Sequence, residues 1–364
     1  MNAPPQPAVA LDAPVLARPR TLGEAYAAGA DNFLLLRFAA AAAVIFGHAY
    51  AMSGIPGAAD FVARLNLGPG IYSGSLAVDV FFVISGFLVT GSWLQRGSLD
   101  TFARSRALRV LPAYLACLIV TAFVLGAIYT ELPLRTYWTD QGTLGYVTTN
   151  AQLGTDLKFT LPGVFVHNPR PNDVNGSIWT LPAEVRMYAW VALLGFVGVL
   201  RRRWLANVAF AALLAYGLID PEHLLLVPQA EFVRLAAFFL AGAFCYVNRD
   251  WIPLSDWLLL ALAAIALLLR HSDYFLWAFG ALLAYGTLWF AYRPRLGFFN
   301  RFGDYSYGLY LWGFPVEQMV AHAFGAPTRP VLIFALSFPL TLAFAVASWH
   351  WVEKPALRFK RIAR

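Results

Sequence analysis

Long apolar runs recur along the chain, separated by short polar stretches rich in glycine, proline, arginine and aspartate. A membrane-spanning helix needs about 20 mostly apolar residues, at about 1.5 Å rise per residue. Ten segments reach or approach that length: about 33–52, 75–94, 108–128, 178–199, 204–220, 224–247, 254–270, 273–291, 304–323 and 330–351. The seventh is short. The pattern predicts an all-α polytopic membrane protein of about ten transmembrane helices.

Composition agrees. Hydrophobic residues make up 59% of the 364, charged residues only 13%, and the mean hydropathy is +0.59. Soluble domains carry about 45–50% apolar and about 25% charged residues. The excess apolar surface has to meet lipid. The net charge of +7 is of the sign that nucleic acid attracts, but its placement argues otherwise. With the N-terminus inside and ten crossings, eighteen of the 27 Lys and Arg residues face the cytoplasm and six face outward. Arg37, Arg186 and Arg234 fall within spans. This inward bias places both termini in the cytoplasm. The basic balance is a topology signal, and no nucleic-acid partner is expected.

The first 30 residues, rich in proline and alanine, lack a sustained apolar stretch and are expected to be a disordered cytoplasmic tail without a cleavable signal. Residues 31–353 form the membrane domain and 354–364 a basic cytoplasmic tail. Residues 129–177 read as a long polar outer loop, a length usually associated with function. Cys117 and Cys245 lie inside apolar runs, with neither metal-site nor disulfide spacing, and no metal is expected.

Ionisable groups inside spans are functional-site hypotheses by default. Arg37 and His48 are eleven residues apart, which returns them to within about 20° of one helix face and separates them by about 16 Å along the axis. Asp79 enters the second span at about the depth of His48. Two roles suit it: fixing the tautomer of the imidazole, or pairing with an arginine. Glu184 lies near the start of the fourth span behind Trp179, with Tyr188 one turn on, while Arg186 suits a structural ion pair. Arg106 and Arg109, at i and i+3 in "RSRALRV", project from one face, where they suit either phosphate oxygens or lipid headgroups. Tyr305, Tyr307 and Tyr310 form an aromatic stripe in "GDYSYGLYLWGFPVEQ", with Glu317 further along, and Glu353 suits a cytoplasmic arginine.

Taken in order, Arg37–x10–His48, "VDVFFVISGFL" with Asp79, the Arg106/Arg109 pair, "SIWTLPAEVRMY", "YSYGLYLWGFP" and the terminal "VEKP" resemble the acyltransferase-3 family of bacterial integral membrane O-acyltransferases. The resemblance covers about residues 31–360. It implies ten transmembrane helices in the bacterial inner membrane. It also implies transfer of an acyl group, usually acetyl, from cytoplasmic acetyl-CoA to a glycan hydroxyl at the outer face. Within it, Arg37 and His48 match the essential pair, and Arg106 and Arg109 match the motif thought to hold coenzyme A. Many members carry histidine where this chain has Gly313, so no role transfers to that position. No fused periplasmic esterase-like domain is read, so the membrane unit is expected to act alone or with a separate partner in a glycan-assembly complex.

On this reading His48, oriented by Asp79, is the general base, and Glu184 holds the acceptor hydroxyl or replaces His48 as base. Arg37 steadies the pantetheine arm, a phosphate or a carboxylate. Trp179, Tyr188 and Tyr307 are candidates for contact with the acceptor sugar. Ser75 and Ser85 are weak nucleophile candidates, so direct transfer is expected over a covalent intermediate. The competing reading is a transporter or flippase using the same buried charges. Exopolysaccharide, its lipid-linked repeat unit and lipopolysaccharide O-antigen are the acceptors considered.

Overall fold

The computed structural model describes residues 20–293 and 296–359. Among these residues no β-strand forms, and eleven helices carry the architecture: α1 (Leu22–Ala28), α2 (Phe33–Ala51), α3 (Ser73–Arg96), α4 (Leu99–Tyr129), α5 (Leu181–Phe196), α6 (Arg203–Ile219), α7 (Phe232–Val247), α8 (Asp256–Leu268), α9 (Phe275–Tyr292), α10 (Ser306–Phe324) and α11 (Pro330–Arg358). By length and composition α2, α3, α4, α9 and α11 are long and apolar enough to cross a membrane. Helices α6, α7 and α8 are shorter and apolar.

Two helix starts differ most from the hydropathy pattern. Helix α4 starts nine residues before the expected 108. Its first turns are charged and weigh against an apolar window, yet the Ser98 side chain caps them by accepting from the Thr101 amide. Helix α7 starts at Phe232 because Pro228 and its neighbours form a loop ahead of it. Of the stretch expected to be a disordered tail, residues 1–19 lie outside the described residues. Leu22–Ala28 is helical instead, with Thr21 as its cap and Leu22 buried against the core. Of the basic tail, Lys354–Arg358 continues α11, and residues 360–364 lie outside the described ones.

The centre is built from α2, α3, α7 and α10, with α11 against α10 and α2. Helices α3 and α7 approach closely enough that their backbones touch. A methyl on Gly86 would lie 1.9 Å from the Phe239 carbonyl oxygen, and one on Gly242 2.1 Å from that of Val83. Lipid offers apolar groups as good as any side chain, so packing in membranes depends on such close contact between small residues.

The polar stretch between α4 and α5 is ordered onto the helix ends. Tyr137 donates to the Ala122 carbonyl at 2.6 Å, and Gln318 of α10 donates to the Arg170 and Asp173 carbonyls at 2.7 and 2.5 Å. Asn175 donates to the Leu311 carbonyl at 3.0 Å. This bond seats a short helical turn, Gly176–Thr180, directly ahead of α5.

Candidate active site

Helix α2 holds its two ionisable residues toward different cavities. Arg37 lines one of about 130 Å³, together with Arg106, Arg109, Glu184, Tyr188 and Tyr307. His48 lines a second of about 230 Å³, with Tyr72, Ser177, Trp179, Glu231 and Arg234.

The first cavity is cationic and its arginines are held firmly. Asp304, just ahead of α10, accepts from Arg37 at 3.0 Å, Arg109 at 2.6 Å and Ser306 at 2.6 Å. Arg109 also lies 3.7 Å from Glu353. A wide π-type turn, Trp349–Glu353, sets that carboxylate within α11, and Ser348 donates to it. The guanidinium of Arg106 lies over the Tyr188 ring at 5.9 Å, and that of Arg109 over Tyr307 at 5.8 Å. Among the described residues Arg106 pairs with no carboxylate, so its charge is the least neutralised of the three. Tyr188 and Ser85 donate to Glu184. A fork of guanidinium groups at a cavity wall suits phosphate oxygens.

In the second cavity His48 does not meet Asp79. Its Nδ1 lies 3.4 Å from Oε2 of Glu317, a carboxylate fully buried in α10, with the ring edge-on to Phe314. The two groups are at ion-pair distance without the alignment of a hydrogen bond; neither His48 Nδ1 nor either Glu317 oxygen has a hydrogen-bond partner among the described residues. The expected orienting role of Asp79 is thereby corrected. Asp79 is buried and accepts from Arg234 of α7, because α3 packs along α7 and turns that face away from α2. Arg234 in turn lines the His48 cavity.

Glu184, Tyr188 and Tyr307, expected beside the acceptor, line the arginine cavity instead, and only Trp179 of the three aromatic candidates faces His48. The turn Gly176–Thr180 carries Trp179 to the His48 cavity, whereas α5, which follows it, lines the arginine cavity through Leu181, Glu184 and Tyr188. Ser75 holds the start of α3 through bonds with the Tyr72 backbone, and Ser85 is engaged with Glu184. Ser75 lines the His48 cavity with its Oγ committed to the Tyr72 backbone, and Ser85 lines the arginine cavity. Arg186 donates to the Leu153 and Pro182 carbonyls, so it anchors the loop, and among the described residues it forms no ion pair, against the expected interhelical one. Cys117 and Cys245 are free and buried. Asp304 and Arg234 gained no role from the sequence. Arg234 was the findable one, as a lone cation in a span at the depth of Asp79.

With this geometry in view, comparison with known proteins is decisive. The sequence model of the acyltransferase-3 family, described as an acyltransferase domain, matches residues 31–350. The chain is a member of that family. Two similar proteins are of nearly the same length. An O-acetyl transferase of Shigella phage Sf6 is 28% identical over 339 residues, covering 87% of this chain and 93% of the relative. Nodulation protein 10 of Rhizobium leguminosarum bv. viciae is 27% identical over 371 residues, covering 91% and 94%. No solved structure matches. Membership in the acyltransferase-3 family makes this an acyltransferase with several membrane-crossing helices.

Proposed function

We propose that the protein is an inner-membrane O-acetyltransferase that takes acetyl from cytoplasmic acetyl-CoA and delivers it to a glycan hydroxyl at the outer face. On this reading the chain crosses ten times, with the arginine cavity toward the cytoplasm and the His48 cavity toward the exterior. The observation that carries it is the division of α2: Arg37 lines one cavity and His48 the other, about 16 Å apart on one helix. The similar phage protein is named for O-acetyl transfer, which supports the choice of acyl group.

The roles follow from charge and position. Arg106 and Arg109, with Arg37 behind Asp304, receive the phosphates of acetyl-CoA as substrate. Asp304 keeps two of the arginines converged. Glu184 holds Tyr188 beside the donor and does not serve as the acceptor's base. The sugar lies against Trp179, whose ring face suits the apolar face of a sugar, with Arg234 and Glu231 available to its hydroxyls. His48 takes the proton from the attacking hydroxyl, and Glu317 stabilises the imidazolium that results. The hydroxyl oxygen bonds to the thioester carbonyl carbon, the C–S bond breaks, and His48 returns the proton to the departing CoA sulfur. Direct transfer is favoured because Ser75, on the wall of the His48 cavity, has its Oγ bonded to the Tyr72 N–H and carbonyl, and Ser85 is engaged with Glu184 in the other cavity. Exopolysaccharide, its lipid-linked repeat unit and O-antigen are the acceptors to examine.

The test is ester-linked acetyl on surface and secreted glycans from a deletion strain carrying wild type or His48→Ala at matched membrane levels. Restoration by wild type alone is the expected result, and the glycan that changes identifies the acceptor. Equal restoration by both would remove His48 from the chemistry. No change in any glycan with either protein would turn attention to transport.

A further inference from the structure

The two cavities share a wall. Val78 of α3 and Tyr310 of α10 line both of them. The Tyr310 hydroxyl donates to the Ser177 carbonyl at 2.7 Å and is bonded to Thr180 Oγ1 at 2.5 Å. A phenol has one proton, so Thr180 is the donor in the second bond. Phe81, which lines the arginine cavity, meets the Tyr310 ring edge-on at 5.9 Å.

Both hydrogen-bond partners belong to the turn Gly176–Thr180, which also carries Trp179 into the His48 cavity. That turn is closely seated: a methyl on Gly176 would lie 2.7 Å from the Phe314 ring. Anything that presses on Trp179 therefore acts on the same five residues that hold Tyr310 in place. Resting on the acetyl-transfer reading above, we propose that Tyr310 is a positioning residue that latches the wall between donor and acceptor cavities, and that a sugar seated on Trp179 releases the latch. While the acceptor cavity is empty, the closed wall keeps outer water from the thioester. Once a sugar is seated, the wall opens with a hydroxyl already in place of water.

Unlatching the wall without an acceptor should admit water. Its oxygen then attacks the thioester carbonyl carbon, the C–S bond breaks, and acetate and the CoA thiol leave. The experiment uses the full chain in vesicles of phosphatidylethanolamine and phosphatidylglycerol, given acetyl-CoA and no acceptor, with free thiol as the readout. Tyr310→Phe keeps the ring but removes both hydrogen bonds, and should raise thiol release about tenfold over wild type. Thr180→Val, which keeps the bond to Ser177, should raise it less, and stands in if the first variant does not reach wild-type membrane levels. A purely structural role for Tyr310 would lower activity without this leak, so release at or below the wild-type rate in both variants overturns the latch. Glycan acetylation by wild type in cells is scored separately. Its absence would overturn the acetyl-transfer reading, whatever the variants do.

Discussion

His48 Nδ1 stands 3.4 Å from Glu317 Oε2, inside a protein whose sequence separates the two by 269 positions. The carboxylate is fully buried and lacks a hydrogen bond of its own among the described residues. A buried charge in that condition is costly unless a cation forms beside it. Proton uptake by His48, the event that the proposed general-base step requires, would supply one.

Glu317→Gln should therefore lower acetyl transfer on the order of 10²-fold while leaving membrane levels near wild type. The measurement is ester-linked acetyl per mole of membrane protein. Activity within a factor of two of wild type would show that His48 works without the carboxylate.

Asp79 and Arg234 form a pair of their own, and this predicts coupling between them. Asp79→Ala alone leaves the Arg234 guanidinium without its anion and should destabilise the protein by about 1–3 kcal/mol. The double variant Asp79→Ala/Arg234→Ala should recover much of that loss, read as thermal stability in detergent. Additive losses would mean that the pair is not the main interaction of either residue.

Asp304 accepts from two arginines of the cavity lined by Arg37, Arg106 and Arg109, where the proposal seats acetyl-CoA. Asp304→Asn leaves Arg37 and Arg109 facing each other with less neutralisation, so the two should separate. The expected outcome is a rise in the KM for acetyl-CoA of about tenfold with a smaller change in kcat, the sign of lost donor binding. An unchanged KM would place the donor elsewhere.

Gly86 and Gly242 have no space for a side chain, whereas the nearest atoms to a methyl on Gly280 would be 3.8 Å away. Gly86→Val should cost about 1–3 kcal/mol or more by forcing α3 off α7, and Gly280→Val should be tolerated. Monodispersity after detergent extraction separates the two.

The ten-span topology can be tested on a quiet background, because both native cysteines are buried. Ser98→Cys and Asp156→Cys, each at an exposed position, should react with an impermeant thiol reagent from opposite sides of the membrane. Labelling of both from one side would reject the arrangement.

The sequence by itself determined where most of the long helices lie and which of them carry charge. Hydropathy is a one-dimensional property set by the lipid solvent, so the runs around α2, α3, α9 and α11 were legible without any partner. The ordered motifs from Arg37 to Glu353 were legible too, and with them the family. Their chemical types held, but their companions did not. Depth alone put Asp79 beside His48, since depth can be counted along a helix. Azimuth could not be counted, because it depends on which neighbour each helix packs against. The contact of α3 with α7 through Gly86 and Gly242 turned Asp79 toward Arg234, and the seat of α10 against α2 left Glu317 facing the imidazole. Those pairings span up to 269 positions and are paid for by helix packing, which only the tertiary structure decides.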